Sequence, residues 1–310
     1  MSYTNQRISI DNFKDLAPIY KSAYSLNVMD PNIENKFDTQ FAGNRYVGFF
    51  SYSEKNEPAG YYGVFPTDLH IGGKVIKSAQ SGNTMVHKEH QGKGLFVTLA
   101  KATYELCEDI GIKIVFGFPS ASSYPGFVKK LSWQHHENIN KYNILVPTIP
   151  LSEFVQRVPF FKGIFSLWIS FILNFYKKGN FFEGSIQAEK QDGVFRNQAY
   201  WDYKLKNDNI KILQFSNTNV VVKFEGKLGI GDIDFENTRD FKQIISSIKR
   251  FCFFAGINRI SFYTSPNTRI DTELAKHYTA NEGLPVAYVC FDEKIDAKNI
   301  KFSYFDFDTF

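Results

Sequence analysis

At 310 residues, 43% of them hydrophobic and 17% aromatic, the chain can fill a large core, and at roughly 100–200 residues per domain it should hold two domains. The net charge of +4 is small and the lysines are spread along the sequence, so there is no basic block of the kind a nucleic-acid binder uses. Cys107, Cys252 and Cys290 are the three cysteines; without metal-ligand or redox spacing they read as core thiols in a reducing compartment, with no metal site.

The N-terminal "MSYTNQRISIDNF" is polar and lacks an apolar signal segment, which implies a cytoplasmic location. Asp11 to Asn27 reads as a helix. Three β-type runs follow, Tyr46–Tyr52, Ala59–Leu69 and Lys74–Val86, the last two joined by a Gly72-Gly73 turn. Next comes Gln91-Gly92-Lys93-Gly94, two glycines around a lysine, directly before a run in which Leu95, Leu99, Ala102, Leu106 and Ile110 recur at helical spacing until Gly111 stops it. A helix that starts at such a turn points its free N–H groups and the positive end of its dipole forward, which makes an anion site. Ile112–Phe118 is then a buried strand, Tyr124–Leu131 a short helix, and Gln134–Leu145 a strand that closes a first domain near residue 150.

From about residue 185 the same order returns. Strands Val220–Phe224 and Leu228–Phe235 lead to a helix with Phe241, Ile244, Ile245, Ile248, Phe251, Cys252 and Ala255 on one face and Gly256 as its cap. Strand Arg259–Tyr263, a helix near Asp271–Thr279 and strands Val286–Phe291 and Ile300–Phe307 complete the second half. Cys107-x-x-x-Gly111-Ile112 and Cys252-x-x-x-Gly256-Ile257 repeat even in detail, so a tandem duplication is the economical reading. The second copy has "DIDFENTRDF" before its helix, acidic and without glycine, which argues against an anion site there.

The segment Thr84–Trp133 resembles the GNAT family of N-acetyltransferases. Their pyrophosphate loop reads Arg/Gln-x-x-Gly-x-Gly/Ala between the fourth strand and the next helix; here Gln91 and Gly94 fill the first and fourth positions, and "SSYPGFVKKLSW" is similar to the family's last helix and its ending. The resemblance implies an α/β fold of two tandem GNAT-like domains, each a mixed, mostly antiparallel sheet flanked by helices. Residues 1–150 would bind acetyl-CoA, 151–184 would form an apolar linker helix, and 185–310 would be a second copy without the loop. Gln91, Gly92, Lys93, Gly94, Leu95 and Phe96 would cradle the pyrophosphate. Thr84, Met85 and Val86 would hydrogen-bond the pantetheine arm, the backbone near Val86 would polarise the thioester, and Ser120 would add a cofactor contact.

Departures from the family pattern shape the rest of the site. Phe96 stands at the sixth loop position, where the family has a small residue, so the local geometry must differ. Val128, four residues before Ser132, replaces the family's tyrosine acid, and Tyr124, one turn earlier, is the candidate in its place. Gln80 occupies the position of a glutamate base and becomes a substrate contact, with water or another group taking the proton. His87 and His90 flank the loop, either as a base or phosphate contact or as residues of a solvated turn; His135 and His136 carry no partner spacing. The ending "FSYFDFDTF" is similar to Asp-x-Asp endings of tandem GNAT-like proteins from surface-polysaccharide clusters. As a strand it would set Asp306 and Asp308 on one face, toward the acceptor or toward solvent.

Residues 158–178 are nearly all apolar, with Lys162, Ser166, Ser170, Asn174 and Lys178 forming one polar stripe. The helix packs between the domains or lies on a membrane, which would put the protein at the inner membrane face. The resemblance implies acetyl transfer from acetyl-CoA to a primary amine, with an amino sugar of a surface polysaccharide precursor as acceptor. A Fem-type aminoacyl transferase fed by tRNA and a non-catalytic GNAT-like binding module are the alternatives; the intact loop and the lack of a basic block argue against the first.

Overall fold

The structure is a computed structural model that describes residues 2–24, 33–235 and 240–310. They cluster in two compact units, Met1–His136 with Pro285–Lys298, and Glu137–Leu284 with Asn299–Phe310. Each unit is a mixed sheet flanked by helices, as expected.

The first unit runs β1 (Tyr3–Arg7), α1 (Leu16–Tyr24), α2 (Ile33–Phe37), β2 (Val47–Ser53), β3 (Pro58–Pro66), β4 (Leu69–Ile71), β5 (Lys74–Ile76), β6 (Ser78–Val86), α3 (Leu95–Asp109), β7 (Ile114–Gly117) and α4 (Tyr124–Leu131). The helix expected over Asp11 to Asn27 begins only at Leu16, after a 3-10 turn at Phe13–Asp15, and Asn27 lies outside the described residues. Strands β1, β2, β3 and β6 form an antiparallel meander, and β6 then pairs in parallel with β7. The two long strands expected around Gly72-Gly73 are each broken. Their tips make a separate β4–β5 hairpin whose glycines take φ of +56° and +79°, as a tight two-residue turn requires. On α3 the fully covered line is Leu95, Leu99, Ala100, Thr103, Tyr104 and Cys107. This face packs into a core with Tyr62, Val64, Val115 and Trp133.

The chain continues with β8 (Gln134–Leu145), α5 (Leu151–Arg157), α6 (Lys162–Leu173), α7 (Ser185–Ala188), β9 (Gly193–Val194), α8 (Gln198–Lys204), β10 (Ile210–Phe215), β11 (Thr218–Phe224), β12 (Leu228–Ile233), α9 (Phe241–Ala255), β13 (Arg259–Thr264), α10 (Arg269–Ala275) and β14 (Asn281–Cys290). In the second unit β10, β11 and β12 are an antiparallel meander, α9 carries the chain to β13, and β13 lies parallel to β12. All seven apolar residues expected on one face of α9 are buried. Strand β8, expected at the end of the first half, pairs antiparallel with β13 from Asn140 to Leu145. In the first unit, Ala287–Cys290 of β14 pair antiparallel with Ile114–Gly117 of β7.

The strand expected over Ile300–Phe307 is overturned. Lys301 and Ser303 make single bridges, and Tyr304–Asp306 is a 3-10 turn closed by a reciprocal Ser303–Asp306 capping box. A side chain that caps its own turn competes with extended pairing, and here the cap wins. Among the described residues no helix is long and apolar enough to cross a membrane.

Candidate active site at the head of helix α3

In the first unit β6 has two halves. Ser78, Ala79 and Gln80 pair with Ile114, Val115 and Phe116 of β7; beyond Gln80 the strand runs on to Val86 beside β3 alone. The ladder with β3 slips between Tyr61 and Gly63, opposite Asn83, which takes a left-handed φ of +55°. Such a bulge bends a strand and re-aims its groups. His87 N–H donates to the Ala59 carbonyl at 2.9 Å. The neighbouring Gly60–Val86 pair is therefore the non-bonded kind, and Val86 turns its N–H and C=O away from β3. The carbonyl accepts the Gln91 side-chain amide at 3.4 Å, which ties the loop to the end of the strand.

The loop itself holds the expected conformation. Gly92 and Gly94 have φ of +76° and +80°, and a Cβ on either would meet open space. Gly94 is the N-cap of α3, and no side chain caps this end. The first bonds into the helix come from Val97 and Thr98, both to the Gly94 carbonyl, at 3.0 and 3.1 Å. The amides of Gly94, Leu95 and Phe96 therefore have no intrahelical acceptor, and the positive end of the dipole faces outward. Lys93 folds back to donate to the Glu89 carbonyl at 3.0 Å, which keeps its charge at the mouth.

Phe96 fits because its neighbour is small. Its ring packs over Gly126 of α4, where a Cβ would come within 3.2 Å, and meets the rings of Tyr62 and Phe127 at 6.0 and 5.2 Å. The crowding expected at this loop position is relieved on the opposite helix. The same contact seats α4 against the start of α3. Tyr124 begins α4, half-buried, its ring edge-on to His135 at 5.8 Å, and its hydroxyl has no hydrogen-bond partner among the described residues. Ser120 shapes the turn before it: its carbonyl accepts from Tyr124 N–H at 2.9 Å, and its hydroxyl meets those of Ser122 and Ser123.

Other residues singled out in the sequence are committed elsewhere. Met85 buries its side chain in the core with Tyr61 and Phe65, so only its backbone could serve a ligand. His90 is buried and bonded through Nδ1 to the Tyr3 hydroxyl at 2.9 Å; burial first, then Lys93 and His87, lower its pKa. His87 caps the turn at Lys88–His90 through Glu89 N–H. Cys107 is a core thiol that burial pushes up to about 12, and Cys252 is likewise buried and raised, whereas Cys290 is only partly covered.

Some features of this region carry little sequence signal. Gln80 Nε2, Asn83 Nδ2 and Thr84 Oγ1 are buried polar atoms without a hydrogen-bond partner. All three sit on β6 where it parts from β7, and a buried unpaired donor is costly unless a ligand meets it. The adjacent Gly82-Asn83 was the available hint of a bulge. Below them a buried chain runs from Ser81 to Tyr62, Tyr104 and Trp133 at 3.1, 2.9 and 2.8 Å.

Asp306 is a correction. It is 3% exposed in the second unit, where Oδ1 accepts from Arg196 at 2.7 and 3.0 Å and Oδ2 accepts from Ser303 N–H at 2.7 Å. A carboxylate so occupied has no room for a substrate amine. Tyr304 and Phe310 lie over Gly229 and Gly231 of β12, where added Cβ atoms would come within 2.9 and 2.6 Å of the rings. The C-terminal aromatics thus fill the face of β12, and Asp308, partly covered, follows on the same segment. The carboxylate of Asp240 accepts from the Lys242 and Gln243 amides at the start of α9; residues 236–239 of the acidic stretch lie outside the described residues. One CoA per chain is the expected stoichiometry by calorimetry, because the helix start that would hold a second is closed by that carboxylate. A fitted value of two would contradict this assignment.

No curated protein matches the sequence. Among solved structures the chain is similar to a putative acetyltransferase from Pyrococcus horikoshii, with a TM-score of 0.59, 13% identity, and 97% of this chain and 93% of that one covered. It is similar to a GCN5-related N-acetyltransferase from Kribbella flavida (TM-score 0.58, 11% identity, 94% and 72% covered). A conserved protein of unknown function from Enterococcus faecalis V583, described as a probable N-acyltransferase, gives a TM-score of 0.60 at 11% identity, with 94% and 73% covered. At such identities the likeness shows a shared fold. The family model for the acetyltransferase (GNAT) domain matches residues 6–135, a stretch that takes in the meander, the bulged strand, the glycine loop and α4, so the likeness to that family lies in the first part of the chain.

Proposed function

We propose that the protein transfers an acetyl group from acetyl-CoA to a primary amine, and that the acceptor is an amino sugar of a surface polysaccharide precursor. The observation that carries the first part is the uncapped start of α3. Two left-handed glycines and open space lie in front of its free amides, beside the outward-turned backbone of Val86. Phosphate oxygens fit there, and the unpaired polar atoms on β6 suit an amide-bearing arm. The acceptor rests on the resemblance of the chain's ending alone, and the second unit is read as a GNAT-like copy that has lost the cofactor loop.

Acetyl-CoA would supply an activated thioester. Gly92 to Phe96 would hold its pyrophosphate, with Gln91 and Lys93 beside them, and the backbone of Thr84, Met85 and Val86 would bond its pantetheine arm. The Val86 N–H would receive the negative charge that develops on the carbonyl oxygen, a task worth several kcal/mol in a water-poor site. The Tyr124 hydroxyl would return a proton to the departing sulfur. Gln80 cannot act as a carboxylate base, so the amine must lose its proton to water or to another group.

Mass spectrometry of ligand released from the purified protein tests the reading: CoA or acetyl-CoA is expected, and a bound tRNA would favour aminoacyl transfer. Tyr124→Phe should lower kcat by ~10²-fold while leaving CoA affinity unchanged. An unchanged kcat would remove Tyr124 from the mechanism.

A further inference from the structure

Helix α6 of the second unit has two apolar faces. Ile172 is buried, and Ile169, Leu173 and Tyr176 pack beside it against the core around α9. Ile164, Leu167, Trp168, Phe171 and Phe175, at i, i+3, i+4, i+7 and i+11, form the other face and are 63, 74, 42, 53 and 72% exposed. The exposed surface continues past the helix. Trp168 Nε1 donates to the Phe254 carbonyl at 3.1 Å, which joins α6 to the tip of α9, where Phe253 and Phe254 are 51 and 56% exposed. A cavity of about 700 Å³ beside these two is lined by Pro147, Ile149 and Leu151, and Ile149 is itself 73% exposed. A continuous apolar surface of this kind marks a partner or a membrane.

The charge around it selects the partner. Helices α5, α6 and α9 carry Arg157, Lys162, Lys242, Lys249 and Arg250 against one acid, Glu153, which lies 3.7 Å from Arg259. Lys177 and Lys178 stand exposed just beyond α6. A second copy meeting this surface about a two-fold axis would bring the same basic rim against itself. An anionic bilayer meets both features: headgroups for the rim and acyl chains for the rings. The 12 residues of α6 reach about 18 Å, well short of the ~30 Å hydrocarbon thickness, so the helix can lie in the interface but not span it.

We infer that the outer face of α6, with the tip of α9, is a docking surface for an anionic lipid membrane. This stands whether or not the first unit transfers acetyl groups.

Intrinsic fluorescence isolates the event, because Trp133 and Trp201 are buried at 2 and 1% and Trp168 is the exposed member of the three tryptophans. Vesicles of phosphatidylcholine with phosphatidylglycerol should pellet the 310-residue chain and shift its emission to the blue. Phosphatidylcholine alone should do so far less, and added salt should weaken the effect. The double variant Leu167→Asp, Phe175→Asp should lose ~10-fold or more of the vesicle partitioning, with its circular dichroism and CoA affinity unchanged, since both side chains point outward. Trp168→Phe should still pellet without the shift. The inference is overturned if the wild type neither pellets nor shifts, or if the double variant partitions equally well. A wild-type dimer that ignores vesicles and becomes monomeric in the double variant would also overturn it, and would give the surface to a second copy.

Discussion

Gly94→Val should abolish measurable CoA binding in a protein that still folds. Gly94 sits at φ +80° at the head of α3, and nothing stands within 4 Å of where its Cβ would be. That emptiness is the space a phosphate would need. Valine would fill it and also resist the left-handed conformation, at a cost of roughly 1–2 kcal/mol. Losing two charge-assisted hydrogen bonds from the loop amides, at about 1.5–3 kcal/mol each, amounts to ~10²–10⁴-fold in affinity. Backbone strain alone could mimic part of this, so Gly94→Asn is the control. Asparagine tolerates the left-handed region yet still puts a side chain in the mouth. Calorimetry should find both variants blocked, with thermal stability closer to wild type in the asparagine form. Near-normal affinity in either variant would remove the loop from the cofactor site.

The features legible in the sequence are those set by local physics. Gly94, Gly111 and Gly256 all hold positive φ, a demand that glycine signals directly. Helix α9 shows its buried face residue by residue, because a 3.6-residue period needs no knowledge of partners. Strand pairing is a different matter. Nothing in the period-two pattern of Gln134–Leu145 says that it will lie beside Arg259–Thr264, since alternation reports a half-buried strand and is silent on its neighbour. Phe96 looked like an obstacle for the same reason. Its tolerance depends on Gly126, 30 positions away. The β6 bulge at Asn83 left only a Gly-Asn pair as a trace. Arg196 left none: its carboxylate partners Asp232 and Asp306 are 36 and 110 residues distant. The C-terminal alternation of aromatic and aspartate residues suggested a strand, but the Ser303–Asp306 cap and a buried guanidinium turned it into a folded plug.

That plug yields the second large effect: Asp306→Ala should lower the stability of the second unit by about 3–5 kcal/mol, the usual cost of removing one partner from a buried ion pair. Arg196 is fully enclosed. Its guanidinium bonds Asp232 and Asp306 and donates to Ser303 Oγ at 2.7 Å. Two carboxylates share one guanidinium, so burial raises the pKa of Asp306, Arg196 pulls it back, and Asp232 raises it again. Taking Asp306 away also frees the Ser303 amide from its cap. The turn that presents Phe305, Phe307 and Phe310 should then loosen; Lys204, which donates to the Phe307 carbonyl at 2.7 Å and sits over the Phe305 and Phe310 rings, would lose its seat. Asp306→Asn keeps the shape and removes the charge, and separates this account from an acceptor-binding role. If Asp306 is structural, Asn lowers the denaturation midpoint while the KM for the amine stays at its wild-type value in the folded fraction. If it touches the acceptor, the midpoint holds and the KM rises. Denaturant unfolding followed by fluorescence, with steady-state kinetics on the same samples, decides between them. A stable Asn variant with a raised amine KM would return this carboxylate to the substrate.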